Sequence, residues 1–115
     1  MRKILSAILV LLPSIAFGVG HVDNVKIESV YCGYAGTYDM CSIKFYDSET
    51  ILDKDACHTL NAKRMQFKGN TAMGQTLLTI AMTAFSANKP VDVYSTGSCT
   101  IYAGLPDVNW ITIKN

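Results

Sequence analysis

Four cysteines and two histidines are the residues of this sequence whose side chains could do thiol, redox or metal chemistry. They are Cys32, Cys41, Cys57, Cys99, His21 and His58. The cysteines follow one another at intervals of 9, 16 and 42 positions, without the C-x-x-C pair that is typical of zinc sites. An even number of cysteines at such intervals favours two disulfides over a metal site, provided that the chain folds in an oxidising compartment.

Motifs for catalysis are absent from the sequence. Cys57 and His58 are adjacent, but neighbouring side chains in an extended segment point to opposite sides, and Cys57 is expected to be oxidised. There is no G-x-S-x-G, no H-E-x-x-H and no phosphate-binding loop, and nothing in the spacing of the nine carboxylates selects a catalytic pair. We therefore expect a protein without enzymatic activity, bound cofactor or metal ion.

The amino terminus has the pattern of a secretory signal peptide. Two basic residues at positions 2 and 3 precede an apolar run, 4–17, that is too short to span a bilayer. The small residues Ala16 and Gly18 fit a signal-peptidase site. The sequence therefore predicts a signal peptide of residues 1–18 with cleavage near Gly18, no stable membrane insertion, and a single mature domain of residues 19–115. This domain is expected in the periplasm or outside the cell, where disulfides form.

Cleavage would leave a nearly neutral domain. Removing residues 1–18 lowers the number of Lys and Arg residues from 10 to 8 and leaves 9 Asp and Glu residues, for a net charge of −1. Such a domain has no general attraction for nucleic acid or for an anionic membrane. Lys63, Arg64 and Lys68 form a local basic cluster, which we interpret as the solvated face of a strand.

The clearest local structural signal is a β-hairpin around Gly36-Thr37. Glycine at the first central position suits a type II′ turn. This turn places Cys32 opposite Cys41 in a non-hydrogen-bonded pair, whose Cα atoms approach to about 4.5 Å. That distance is within disulfide reach. The hairpin therefore predicts a Cys32–Cys41 disulfide, which leaves Cys57 and Cys99 to pair with each other.

The remaining periodicity predicts five strands and one helix. The strands cover His21–Tyr34, Tyr38–Tyr46, Thr59–Phe67, Pro90–Tyr94 and Val108–Ile113, and the helix begins after a cap at Asn70 or Thr71 and runs to Asn88. The chain is therefore mainly β with one helix, which lies between strands three and four. This order matches a five-stranded Greek-key OB-fold barrel; the alternative is an open antiparallel sheet with one packed helix.

The predicted helix has no charged side chain between Thr71 and Asn88. Surface helices usually carry charged side chains on the face that contacts water. An uncharged polar stripe therefore indicates a surface that is covered, either by another copy of the chain or by the rest of the domain. This stripe includes Gln75, Thr76, Thr79 and Thr83. These four residues are candidates for contacts in a ring-shaped homo-oligomer; a helix partly buried in its own domain is the alternative.

Aromatic side chains with polar tips are the best candidates for ligand contacts. The mature domain has six tyrosines and one tryptophan, whose rings offer a flat apolar face beside a polar group. Tyr34 and Tyr38 flank the hairpin turn, where exposure is expected, and Trp110 lies on the last strand. We take these three as candidate ligand-binding residues. A position in the core is the alternative for Trp110 and Tyr94.

The second half of the chain resembles known exported proteins. The resemblance runs from Gly74-Gln75-Thr76-Leu77-Leu78 through Lys89-Pro90-Val91-Asp92-Val93-Tyr94 to Thr96-Gly97-Ser98-Cys99. This region resembles a family of small exported bacterial proteins of uncharacterised function. It also resembles, more loosely, the B subunits of bacterial A–B toxins of the subtilase-cytotoxin and cholera-toxin kind. The resemblance implies an OB-fold that forms a ring and binds sugar, and it assigns no individual sugar-binding residue.

Two functions follow from these observations. The first is an exported non-catalytic binding module that binds a glycan and forms a ring, like a toxin B subunit. The second is a monomeric periplasmic or secreted accessory protein that binds an exported protein partner. The mass in solution separates the two, since a ring and a monomer differ about fivefold.

Overall fold

The computed structural model describes residues 18–115, so the predicted signal peptide lies outside the described residues except for Gly18. Six strands and one helix follow one another in this part of the chain: β1 (His21–Val25), β2 (Ile27–Ala35), β3 (Tyr38–Phe45), β4 (Arg64–Lys68), α1 (Ala72–Ser86), β5 (Val91–Ser95) and β6 (Val108–Ile113). The strands form two three-stranded antiparallel sheets, in the orders β1-β5-β6 and β2-β3-β4. The domain is therefore mainly β with one helix, as the sequence predicts.

The structure has six strands instead of the predicted five, and the described strands do not form a closed barrel. Asn24 has a left-handed φ of 54°, and the pairing register shifts on both sides of Lys26. This irregularity splits the predicted first strand, because β1 pairs with β5 whereas β2 pairs with β3. A single parallel bridge, between Gln66 and Asp107, connects β4 to the start of β6. One bridge leaves the two sheets separate.

The β2–β3 hairpin has the predicted register and turn. Gly36 has φ 60°, whereas Thr37 does not have a positive φ, which is the combination of a type II′ turn. Cys32 lies opposite Cys41, their Cα atoms are 4.0 Å apart, and the predicted disulfide joins them. The turn chemistry and the cysteine positions therefore agree in the folded domain.

The second predicted disulfide, Cys57–Cys99, is also present and ties the loop before β4 to the loop after β5. The predicted strand Thr59–Phe67 is shorter than expected at its start. The backbone N–H groups of Thr59 and Leu60 donate to the Gly104 carbonyl instead of to a neighbouring strand. Residues 59–63 are therefore a loop, and the strand begins at Arg64.

Helix α1 packs on the core through its smallest residues. Its buried residues are Gly74, Leu77, Ala81 and Ala84. The last three belong to a core that includes side chains of both sheets. The hydroxyl of Thr71 caps the helix by accepting the Gly74 N–H at 2.9 Å. Met73, Met82 and Phe85 remain exposed. Within residues 18–115, no helix is long and apolar enough to cross a membrane.

Candidate functional site

Three ring side chains stack in a row across the sheet β1-β5-β6, and we call them the aromatic ladder: His21, Tyr94 and Trp110. The register pairs His21 with Tyr94 and Tyr94 with Trp110, so the rings are direct cross-strand neighbours. The ring centroids of His21 and Tyr94 are 4.6 Å apart, and those of Tyr94 and Trp110 are 4.1 Å apart. Because the ring planes are within 15° of parallel, the ladder is a continuous stack.

The ladder lies on the face of the sheet that points away from the core. Side chains alternate between the two faces of a strand, and the neighbours Val22, Val93 and Ile111 are buried in the core. Trp110 keeps 42% of its surface exposed, although its ring is stacked against Tyr94. Trp110 is thus a surface residue, and the alternative that places it in the core does not hold.

Carboxylates lie beside the ladder on the same face. Asp23 Oδ2 is 3.4 Å from His21 Nε2, and Asp23 Oδ1 accepts a hydrogen bond from the Tyr94 hydroxyl at 3.4 Å. Asp92 Oδ2 is 3.3 Å from Lys114 Nζ. Partial removal of the Tyr94 ring from water, followed by the charge and hydrogen bond of Asp23 and the charge of Asp92, raises the pKa of Tyr94. The pKa moves further from neutral pH, and the phenol hydrogen is donated to Asp23.

The ladder combines a flat aromatic surface with hydrogen-bonding groups at its edge. An indole face can pack on the C–H face of a sugar ring, while carboxylates accept hydrogen bonds from sugar hydroxyls. Trp110 ends the stack on β6, the last strand of this sheet. A ligand ring stacked on Trp110 would therefore extend the ladder by one ring.

Comparison with known proteins does not assign the chain to a family. No protein-family model, curated protein sequence or solved structure matches it. The function is therefore inferred from the arrangement of the described residues and from the resemblance noted in the sequence.

Of the three residues predicted to bind ligand, Trp110 alone belongs to the ladder. Tyr34 lies on β2, in the other sheet, and is 87% exposed, and Tyr38 begins β3 after the turn. The hairpin and the ladder are therefore different surfaces. Sequence reasoning missed His21 because nothing local shows that β1 pairs with β5. The alternation of valine with polar residues in β5 is the signal that could have placed Tyr94 on the outer face.

The predicted oligomer contacts are exposed on α1. The hydroxyls of Thr76, Thr79 and Thr83 donate to backbone carbonyls four residues earlier, at 3.2, 2.9 and 2.7 Å. The side-chain amide of Gln75 donates to the Gly69 carbonyl. Because these donors are satisfied within the chain, another surface could cover the stripe without leaving them unpaired.

The four cysteines and His58 take structural positions. All four cysteines are in disulfides, and residues 18–115 contain no cluster of three or more His, Cys, Asp or Glu side chains that could hold a metal ion. His58 is buried, and its Nε2 is 2.9 Å from the Ala62 carbonyl oxygen. Burial lowers the pKa of His58. The Nε2–H of the neutral ring therefore donates to the Ala62 carbonyl, and this hydrogen bond stabilises the loop before β4.

Proposed function

We propose that the mature domain is an exported, non-catalytic glycan-binding module, similar to the B subunits of A–B toxins, and that the aromatic ladder is its sugar-binding surface. The observation that carries the proposal is the exposed Trp110 ring at the end of a three-ring stack, with Asp23 and Asp92 beside that stack. An aromatic face next to hydrogen-bond acceptors is the combination that a sugar ring requires, since one side of the ring is apolar and its edge carries hydroxyls.

The connectivity of the strands supports an OB-related fold for this module. Only Lys26 separates β1 from β2, so the two act as one bent strand that pairs with β5 at one end and with β3 at the other. Helix α1 follows the third strand of this series, and the Gln66–Asp107 bridge is parallel. We propose that the domain is an OB-fold barrel opened at the contact between β4 and β6.

The emission of Trp110 tests sugar binding directly, because the chain contains a single tryptophan. Mature protein is titrated with a panel of neutral monosaccharides and oligosaccharides while fluorescence is recorded. A sugar that stacks on the indole should change its emission in a saturable way, since stacking removes the ring from water. The absence of a response to every sugar in the panel, together with a blank glycan array, would contradict the proposal.

Two variants assign the binding surface. Trp110→Ala should abolish binding on the glycan array, and Trp110→Phe should retain part of it because a ring face remains. Tyr34→Ala is the matched control, since Tyr34 is a highly exposed ring on the other sheet. Loss of binding in Tyr34→Ala with retention in Trp110→Ala would move the site from the ladder to the hairpin.

We further propose that the module forms a ring through the uncharged stripe of α1. The internal hydrogen bonds of Thr76, Thr79 and Thr83 support this assembly, because they remove the desolvation penalty that free hydroxyls would carry in an interface. The exposed apolar side chains Met73 and Met82 on the same helix add surface that association would bury.

Light scattering of wild type and of the Thr79→Lys/Thr83→Lys variant tests the ring. Wild type should have several times the mass of one chain, and the variant should dissociate because like charges on neighbouring copies then meet in the proposed interface. Thr37→Lys/Thr50→Lys is the control, with the same charge added at exposed loop positions. A wild-type mass of one chain at every concentration would end the ring proposal and leave the monomeric accessory protein that binds a protein partner.

Export of the chain is supported by the two disulfides, which are typical of an oxidising compartment outside the cytoplasm. We propose removal of residues 1–18 and release of a domain that begins at Val19. Cell fractionation followed by amino-terminal sequencing tests this proposal. Recovery of the uncleaved chain in a membrane fraction would contradict it.

A further inference from the structure

A basic groove crosses the outer face of the other sheet, β2-β3-β4. It has a volume of about 510 Å³ and is lined by residues that include Tyr31, Lys44, Asp47, Asn61, Lys63 and Arg64. The register places Lys44 opposite Arg64, so these two side chains are direct neighbours on one face. The groove is separate from the ladder, which lies on the other sheet.

Arg64 is held in place by two tyrosines. Its Nη1 donates to the Tyr31 hydroxyl, and its Cζ lies 5.7 Å from the centre of the Tyr102 ring. No carboxylate lies within ion-pair distance of Arg64 among the described residues. A guanidinium with a fixed plane and unused donors can bind an oxyanion through two parallel hydrogen bonds.

Three cationic side chains, Lys44, Lys63 and Arg64, line the groove. The carboxylates of Glu28 and Asp47 partly neutralise their charge. Lys44 Nζ is 3.7 Å from Glu28 Oε1, and Asp47 contributes to the lining. Among residues 18–115, Lys63 forms no ion pair. The net charge of these side chains is positive, so the groove favours an anionic ligand group over a neutral one.

We propose that this groove is a binding site for an oxyanion group, a phosphate or sulfate, carried by a polar ligand the size of a sugar. Arg64 and Lys63 bind the charged oxygens. Asn61 and Asp47 bind hydroxyl groups of the same ligand, since the groove is larger than one phosphate. In the sequence alone, the cluster of Lys63, Arg64 and Lys68 resembles an ordinary solvated strand face. Lys44 and Tyr31 join it only through the sheet register, and Tyr102 joins it from the loop after β5.

Calorimetric titration of the mature Trp110→Ala variant, in which sugar binding at the ladder is removed, tests the groove with three probes: inorganic phosphate, glucose 6-phosphate and glucose. Both phosphates should bind and glucose should not, at low ionic strength where charges are least screened. Tighter binding of glucose 6-phosphate than of phosphate would show that the hydroxyl partners contribute. Equal affinity for glucose 6-phosphate and phosphate would support the oxyanion site and contradict the role of Asn61 and Asp47 as hydroxyl partners. Glucose that binds as tightly as glucose 6-phosphate would overturn the proposal.

Variants identify the groups that hold the anion. Arg64→Gln should weaken phosphate binding by at least about tenfold, the equivalent of losing one charge-assisted hydrogen bond. Lys89→Gln is the control, because it removes the same charge from an exposed position between α1 and β5, outside the groove. The Trp110 response to sugar should be unchanged in Arg64→Gln, which separates this site from the ladder. Equal phosphate affinity in wild type and Arg64→Gln would exclude the groove as the site.

Discussion

Replacement of Gly74 by alanine tests how helix α1 is seated against β4. Gly74 lies in the first turn of the helix and is buried. A Cβ atom at this position would lie 1.7 Å from the Lys68 carbonyl oxygen and 2.9 Å from Thr71 Oγ1. Without a side chain at Gly74, the helix can start directly against the end of β4. This close approach also positions the uncharged stripe of α1.

The expected effect has the opposite sign to helix propensity. Alanine in place of glycine normally stabilises a helix by about 1 kcal/mol. Here the first turn must move away from Lys68 to relieve the contact, and overpacking of this kind costs about 1–3 kcal/mol. The same movement weakens the hydrogen bond from Gly74 N–H to Thr71 Oγ1, and a lost cap costs about 1 kcal/mol. We expect a net destabilisation of about 1–3 kcal/mol.

Urea unfolding of the oxidised mature domain, followed by circular dichroism, measures this change. Gly33→Ala is the matched control, since no atom lies within 4 Å of its added Cβ. Its free energy of unfolding should stay the same or rise by about 0.5–1 kcal/mol, because alanine replaces glycine inside a strand without a steric conflict. If Gly74→Ala is as stable as wild type or more stable, the helix can shift freely and the argument about its seating is wrong.

Two further predictions concern the disulfides and His58. Replacing the Cys57–Cys99 disulfide by two alanines should lower the free energy of unfolding by about 4 kcal/mol, and the same replacement of Cys32–Cys41 should lower it by about 2.5 kcal/mol. The first effect is larger because Cys57 and Cys99 are 42 positions apart, whereas Cys32 and Cys41 are 9 apart. Urea unfolding of the two variants tests this order. Burial lowers the pKa of His58 below 6.5, so the unfolded chain binds more protons and stability should fall as the pH drops below about 6.5. His58→Gln should remove that part of the pH dependence of unfolding, and an unchanged slope would contradict this account.

Elements with local causes could be predicted from the sequence. The hairpin register follows from Gly36 alone, because a two-residue turn determines every pair that follows it. The Cys32–Cys41 disulfide is a consequence of that register. The helix start is likewise local: the sequence places the cap at Asn70 or Thr71, and the Thr71 hydroxyl accepts the Gly74 N–H within the first turn.

Elements with distant causes could not be predicted. The first strand is divided because Asn24 bends the chain, and only the positions of β5 and β3 show that its two halves have different partners. Residues 59–63 alternate like a strand, yet the N–H groups of Thr59 and Leu60 donate to the carbonyl of Gly104, more than forty positions away. The basic groove is of the same kind, because Arg64 and Tyr31 meet only across β3.

The ladder is positioned by the core and not by its own rings. Side chains in a strand alternate with a period of two, so Val22, Val93 and Ile111 can face the core only if their neighbours face outwards. A shift of one residue in the register would bury Tyr94 and Trp110 and expose the aliphatic side chains, at a large cost in buried apolar surface. The register is therefore maintained even without the indole ring. For this reason a loss of sugar binding in Trp110→Ala, with unfolding stability retained, would identify the ring itself as the group that contacts the ligand.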